Sequence, residues 1–435
     1  MFAKTNDDAY GGTQAYNPDQ QNDATGDDNP FLIKKQPTKC RDPVFAVLLY
    51  ANVAAMIGIS IKYGGALIAT ATADADADAA AAGGETTAAT DYTGIINIAL
   101  ATAGFATVLS AATMQLLMCI PGILIKVALL FNAVLVLIIA AVSLYYGNMI
   151  GGIIGLVFFA FFLCYAKLVW KRIPFATANL KTACSAIRSN CGVTIIAYVF
   201  TALAFAWTVL WSLALAGTQE YLLACEEVDV DGVTQTVCNP NYGYLFLFFL
   251  SFFFTHQVIQ NCVHVTVAGV VASWWFTPKS SGCCSSAVFG SFFRTMTTSF
   301  GSVCFGSLLV ALIQAIRQLA ETARQNDELG NMLACCIDCV LSCLQSIIEY
   351  FNKWAFVYVG IYGYGYCEAG KSVIQLFKDR GWEAVIADDL VGMVLFMMSL
   401  IVGLVTGGVA ILLEQNTGWF EDYVADADPR IFVFM

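Results

Sequence analysis

Long apolar runs separated by short polar segments dominate this chain. Stretches of about 20 mostly apolar residues, enough to cross a hydrocarbon core as a helix, occupy 44–61, 95–118, 122–145, 149–170, 192–216, 243–275, 295–317, 355–377 and 389–413. None alternates apolar and polar positions with a period of two, which excludes a β-barrel. The pattern predicts an all-α, polytopic transmembrane helical bundle with nine visible spans. The run 243–275 would extend about 50 Å as one helix, so it is expected to tilt, to project into the cytosol, or to break near Gly269. After the acidic segment 414–429, the residues Asp-Pro-Arg-Ile-Phe-Val-Phe-Met read as the start of a truncated tenth span. The alternative is a short apolar tail.

Charge orients the spans. Lys34, Lys35, Lys39 and Arg41 precede the first one and place the N-terminus inside. Segment 63–94 carries Asp74, Asp76, Asp78, Glu85 and Asp91 and no Lys or Arg, so it is a first outer loop. Segment 171–190 carries Lys171, Arg172, Lys181 and Arg188 and no acid, so it lies inside. Loop 217–242, with Glu220, Glu226, Glu227, Asp229 and Asp231, is a second acidic outer loop, and 277–294, with Lys279 and Arg294, is inside again. Parity puts 318–353 outside, where acids outnumber bases, although Arg317 and Arg324 near a span end pull the other way. The organisation expected is a polar, disordered cytosolic tail over 1–42, a transmembrane domain over 43–413, and an acidic loop with the start of a last span over 414–435.

Composition agrees with the pattern: 58% of the residues are hydrophobic and 12% charged, against about 25% charged in soluble domains. The net charge of −11 sits in a few connecting segments, and no basic run suits nucleic acid. No G-x-x-x-x-G-K-S/T loop, G-x-S-x-G elbow or dinucleotide fingerprint is present, which argues against a nucleotide partner, a cofactor or an enzyme. The two histidines, His256 and His264, are eight residues apart and lack the spacing of a zinc helix. Among 16 cysteines, Cys225 and Cys238 share the second outer loop and form a disulfide candidate. Cys335, Cys336, Cys339 and Cys343 lack the paired spacing of a zinc site, so no metal is expected. They read as an amphipathic interfacial helix, open to palmitoylation if it faces the cytosol.

Polar groups at membrane depth are costly and mark function. The sixth span carries Gln257, Gln260, Asn261, His264 and Thr266, and the eighth carries Glu368 and Lys371 one turn apart. Tyr358, Tyr362 and Tyr366 recur every four residues, so one helix would align their rings. Gly360, Gly363 and Gly365 would admit a neighbouring helix. Aromatic faces with a nearby carboxylate suit a quaternary ammonium, which offers no N–H to donate. The candidate substrate-binding residues are therefore Tyr358, Tyr362, Tyr366, Glu368, Asn261 and His264. For each, helix packing, local ion pairing or interhelical hydrogen bonding is the structural alternative.

Four segments carry a family resemblance. T-T-S-F-G-S-V-C-F-G-S-L-L-V-A-L-I-Q-A-I-R at 297–317 and H-V-T-V-A-G-V-V-A-S-W-W-F at 264–276 resemble spans of choline transporter-like proteins, the solute carrier 44 family with its fungal and protist pH-nine-sensitive branch. The cysteine-rich run 335–356, ending N-K-W-A-F, and K-C-R-D-P-V-F-A at 39–46 are similar to segments of the same family. The chain departs from it in a short first outer loop without N-x-S/T, and in Tyr366-Cys367-Glu368-Ala369-Gly370 where members read Phe-Cys-x-Ser-Ala. The resemblance implies ten spans and transport of choline or a related organic cation at the plasma membrane or an organelle membrane. A facilitative carrier driven by membrane potential is the expectation. The alternatives are a non-transporting membrane scaffold that binds a partner, and an integral enzyme of lipid metabolism.

Overall fold

The structure, a computed structural model, describes residues 39–64, 93–230, 233–276, 282–324, 331–380 and 383–417. Most of the expected N-terminal tail, most of the first outer loop and the proposed start of a tenth span lie outside the described residues. Helices α1 (Pro43–Ile59, extended by a π turn at Ser60–Gly64), α2 (Thr93–Cys119), α3 (Pro121–Tyr145) and α4 (Met149–Val169) come first. Next are α5 (Ile173–Ser189) and α6 (Gly192–Gly217), then a hairpin of β1 (Leu223–Val230) and β2 (Val233–Pro240). The chain continues with α7 (Tyr242–Phe276), α8 (Ser286–Met296), α9 (Phe300–Arg324), α10 (Asn331–Tyr362), α11 (Tyr366–Arg380) and α12 (Glu383–Thr417).

The punctuation is local chemistry. Pro43 and Pro121 stand at first helical positions, where a missing N–H costs nothing. Gly147, at φ 78°, turns α3 into α4, and the Asn148 side chain caps α4 by accepting from the Gly151 N–H at 2.9 Å. The basic segment expected inside is the amphipathic helix α5. Its Ile173, Ala176, Leu180 and Cys184 are buried against α2, α3 and α12, while Lys181 and Arg188 stay exposed.

Eight helices among the described residues are long and apolar enough to cross a membrane. Their outward faces carry large apolar side chains, such as Phe158, Phe161 and Phe205, at 63–69% exposure, which suits lipid and not water. The fold is thus the expected all-α polytopic bundle, with one two-stranded hairpin added. That hairpin occupies the acidic segment expected as the second outer loop, where Asp231-Gly232 between two Val-containing runs is a hairpin sequence signature. Its antiparallel register sets Cys225 directly opposite Cys238.

The expected eighth span, 355–377, is not one helix. Helix α10 begins at Asn331 and stops at Tyr362; Gly363 takes a left-handed φ of 66°, and α11 starts at Tyr366. Apolar content alone merged the end of one helix with the start of another, whereas left-handed glycine is a helix stop. At 32 residues α10 is about 48 Å long and takes in much of the segment expected as an outer loop. Helix α11 doubles back along it: Gly370 faces Phe351, and the Phe377 ring meets those of Tyr350 and Trp354 at 6.2 and 5.6 Å.

Two buried cores organise the helices. One gathers side chains of α1, α6, α7, α9, α10 and α11, the other those of α2 to α5 and α12. Helix α7 runs unbroken for 35 residues, through Gly269. Gly269 and Gly360 mark where it crosses α10: a Cβ on Gly360 would lie 2.6 Å from the Val265 carbonyl oxygen. The Gly360→Val variant is therefore expected to lower the unfolding midpoint of the purified protein by several degrees, from about 1–3 kcal/mol of overpacking. Scanning fluorimetry in detergent checks this, and an unchanged midpoint would show that the crossing is not close-packed.

Candidate functional site

The polar residues of α7 fall at helical spacing. Residues 253, 256, 257, 260, 261 and 264 lie on one face and turn it toward α9 and α10. There they line a cavity of about 640 Å³ together with Val310, Gln314, Glu349, Asn352 and Lys353. Ligand cavities typically span about 300–1,000 Å³. Both histidines border this space, with Phe252 and Phe253 beside them. His256 stacks on Phe252 at 5.9 Å, and its buried Nδ1 has no hydrogen-bond partner among the described residues.

A ladder of amides joins the three helices. Gln257 Nε2 donates to Gln314 Oε1 at 3.3 Å, and Asn261 Nδ2 donates to the fully buried Ser307 hydroxyl at 3.0 Å. Farther along α9 and α10, Gln314 and Gln345 donate to the Glu349 carboxylate at 3.3 and 2.7 Å, and Arg317 donates to Gln345 at 2.7 Å. Glu349 and Lys353 are exposed, one helical turn apart, so the cavity carries both signs of charge along one edge. Asn261 Nδ2 also donates to Gln257 Oε1 at 3.5 Å, which links the amides into one chain along the cavity wall.

The other end of the seam is closed. Asn352, 3% exposed, donates to the Gly306 carbonyl at 2.7 Å and accepts from the Tyr366 hydroxyl. The Tyr366 ring lies against Phe305 and Phe356, in a space open only because residue 306 has no Cβ; one there would sit 2.7 Å from Phe356. The Tyr366 backbone N–H points to Asp42 Oδ2 at 3.2 Å, which also accepts from the Ser302 hydroxyl at 2.7 Å. Asp42 precedes Pro43 in a left-handed conformation, φ 50°, which Asp tolerates better than most residues. Its carboxylate thus serves the beginnings of α9 and α11, where helix dipoles favour negative charge. Arg41 completes the node, donating its N–H to the Thr298 carbonyl at 2.9 Å and approaching Glu368 within 3.8 Å.

The sequence-predicted residues divide between these two places. Asn261 and His264 line the cavity. Tyr358, Tyr362 and Glu368 are not among its lining residues, and Tyr366 reaches it through its hydroxyl's bond to the lining residue Asn352. The helix break removes Tyr366 from the expected stripe and puts Tyr364 in its stead: the rings of Tyr358, Tyr362 and Tyr364 lie 5.4–6.4 Å apart with interplanar angles of 19–34°. Two of the pairs are stacked and the third, Tyr358 with Tyr362, is tilted. Lys371, the local ion-pair alternative for Glu368, is exposed, and among the described residues Arg41 approaches the carboxylate at 3.8 Å. Outside the spans, Arg294 on α8 donates to the Ser291 hydroxyl, and burial pushes its proton affinity down.

Sequence reading missed Gln314, Glu349, Asn352 and Asp42. A signal existed for the first three. Gln314 and Asn352 are uncharged polar residues in long helices, and Glu349 and Lys353 keep a four-residue spacing.

Comparison with known proteins adds the family. Residues 153–435 match the sequence profile described as "Plasma-membrane choline transporter". Protein PNS1 of Eremothecium gossypii is 32% identical over 277 residues, covering 60% of this chain and 50% of its own length. A CTL-like protein of Dictyostelium discoideum is 31% identical over 266 residues, covering 60% and 45%. Protein PNS1 of Mycosarcoma maydis is 29% identical over 392 residues, covering 87% and 70%. The chain spans about half the length of the first two relatives. With the profile matched over well beyond half of its residues, this multi-pass membrane protein belongs to the choline transporter-like family.

Proposed function

We propose that the chain carries choline or a similar small organic cation across a membrane, the plasma membrane first, and that the cavity between α7, α9 and α10 is its binding chamber. One observation supports this above the others: a chamber of about 640 Å³ bordered by a carboxylate, several amides and aromatic rings, in a chain of this family. A quaternary ammonium cannot shed its charge by deprotonation. It needs a diffuse negative environment, which Glu349 supplies at one edge and the Phe253 ring supplies on the α7 wall. Gln257, Asn261 and Gln314 are placed to hold a hydroxyl. His264, on the same face of α7, is lining.

In this scheme the Asn352–Tyr366–Asp42 node is the inner closure. Moving α11 about the Gly363–Gly365 break would open it, releasing the cation past Tyr358, Tyr362 and Glu368. The acidic hairpin stands on the outer side, and a Cys225–Cys238 cross-link, favoured by their register, would hold it in an oxidising compartment.

Uptake of labelled choline into sealed vesicles tests the reading. It is expected to saturate and to accumulate up to about fiftyfold at 100 mV, inside negative, because one charge gains about 2.3 kcal/mol; uptake that neither saturates nor responds to potential contradicts it. Neutralising the mouth by Glu349→Gln is expected to raise the apparent KM about tenfold, or about 1.4 kcal/mol, while Tyr362→Ala changes it less than threefold. The reverse order would move the site to the tyrosines.

A further inference from the structure

Two cysteines far apart in sequence meet at one point of the fold. Cys191 and Cys283, 92 residues apart, are bonded through their sulfurs with Cα atoms 4.6 Å apart. The contact joins the α5–α6 corner to the segment that leads into α8. The two backbones touch there so closely that a Cβ on Gly192 would overlap the Cys283 carbonyl oxygen. The basic charges of 171–190 and 277–294 put both partners on the inner side. That is the reducing face of a cell membrane, where a disulfide does not persist as a fixed staple. Cys191 is exposed and Cys283 half-buried, so a small thiol can reach the bond.

We infer that Cys191 and Cys283 form a thiol–disulfide exchange site on the inner face, taking low-molecular-weight thiols of the glutathione class. Position favours the chemistry at both sulfurs. Cys191 is the N-cap residue of α6, a helix of 26 residues, and Cys283 lies two residues before Ser285, the N-cap of α8. Helix N-termini stabilise thiolates, and a stabilised thiolate is the better leaving group in exchange. Accessible disulfides of this kind are the labile ones. A glutathione thiolate attacks the Cys283 sulfur; the Cys191–Cys283 bond breaks, and its electron pair leaves on Cys191, which takes a proton from water. A second glutathione thiolate then attacks the mixed disulfide, releasing Cys283 as a thiol and one oxidised glutathione. Two glutathiones thereby supply the two electrons, and the reverse sequence closes the link.

The site has a structural consequence. Closed, it tethers the start of α6 to α8. Helix α8 ends at Met296, two residues before Thr298, whose carbonyl holds the N–H of Arg41 beside the inner node. Opened, it leaves that approach held by packing alone, through Val193, Val270 and Val288.

The test uses the full chain in sealed vesicles, with glutathione buffers from reduced to oxidised on one side at a time. Isotope-coded alkylation and peptide mass spectrometry read each cysteine. The expected result is a reversible switch of Cys191 and Cys283 together, with complete loss of the linked peptide in reduced buffer and only when the buffer is on the inner side. Neighbouring Cys284, exposed and free, should alkylate in both states and serves as the internal reference. In Cys191→Ser no linked peptide should form, while Cys284 labelling is unchanged. A link that survives reduced buffer, one that never forms in oxidised buffer, or a response from the outer side alone would each overturn the assignment. The readout does not depend on transport, so it stands or falls separately from the cation reading.

Discussion

A side-chain amide buried among hydrocarbon has no water to bond, and Asn352 meets that constraint by holding three helices at one point. Its donor goes to the carbonyl of Gly306 on α9 and its acceptor takes the hydroxyl of Tyr366 on α11, while it belongs to α10 itself. An unmet partner in such a place costs about 1–3 kcal/mol, so this arrangement fixes where α11 begins and how close it lies to α9. The rest of the inner end follows. Once Tyr366 is seated, its backbone N–H reaches Asp42, and Asp42 binds the start of α1 to Ser302 on α9. Glycine at 306 is a requirement of that geometry, because the aromatic rings occupy the space of a side chain.

The same constraint organises the cavity. Gln257, Asn261 and Gln314 are polar residues within apolar spans, and they meet one another and Glu349 across α7, α9 and α10. The cavity's bonds run to an exposed carboxylate at Glu349, whereas the inner node is centred on the buried Asn352 and Tyr366. A seam that is open and wettable at one end and tightly paired at the other is the asymmetry a carrier needs. The break at Gly363–Gly365 lies beside the paired end, where the proposed scheme places the rotation of α11 that would separate Tyr366 from Asn352.

Much of this was legible in the sequence. Eight of the nine expected spans correspond to long apolar helices, since 20-residue apolar runs admit few other structures in a bilayer. The polar face of α7 was equally visible, because Asn261 and His264 stand out among Phe, Val and Ala. Tyr366 could not be placed correctly, since a four-residue tyrosine repeat reads as one stripe only while the helix continues, and Gly363 ends it. Glu349 and Asn352 escaped because an apolar-content window assigned their segment to a loop; α10 is a helix stabilised by neighbours and not by hydropathy. Asp42 escaped for another reason. Its role depends on two helices more than 250 positions away, which no local pattern encodes. The Cys191–Cys283 contact is non-local in the same way.

The central claim is that a cation resides in the α7–α9–α10 cavity, and substrate protection of a single introduced thiol tests it most directly. Gln260 borders the cavity and is exposed, so the Gln260→Cys variant offers a reporter on its wall. The account predicts that choline slows alkylation at position 260 by several-fold in a saturable manner, and leaves alkylation of a matched Tyr362→Cys variant unchanged. Equal labelling at position 260 with and without choline, alongside protection at position 362, would contradict it.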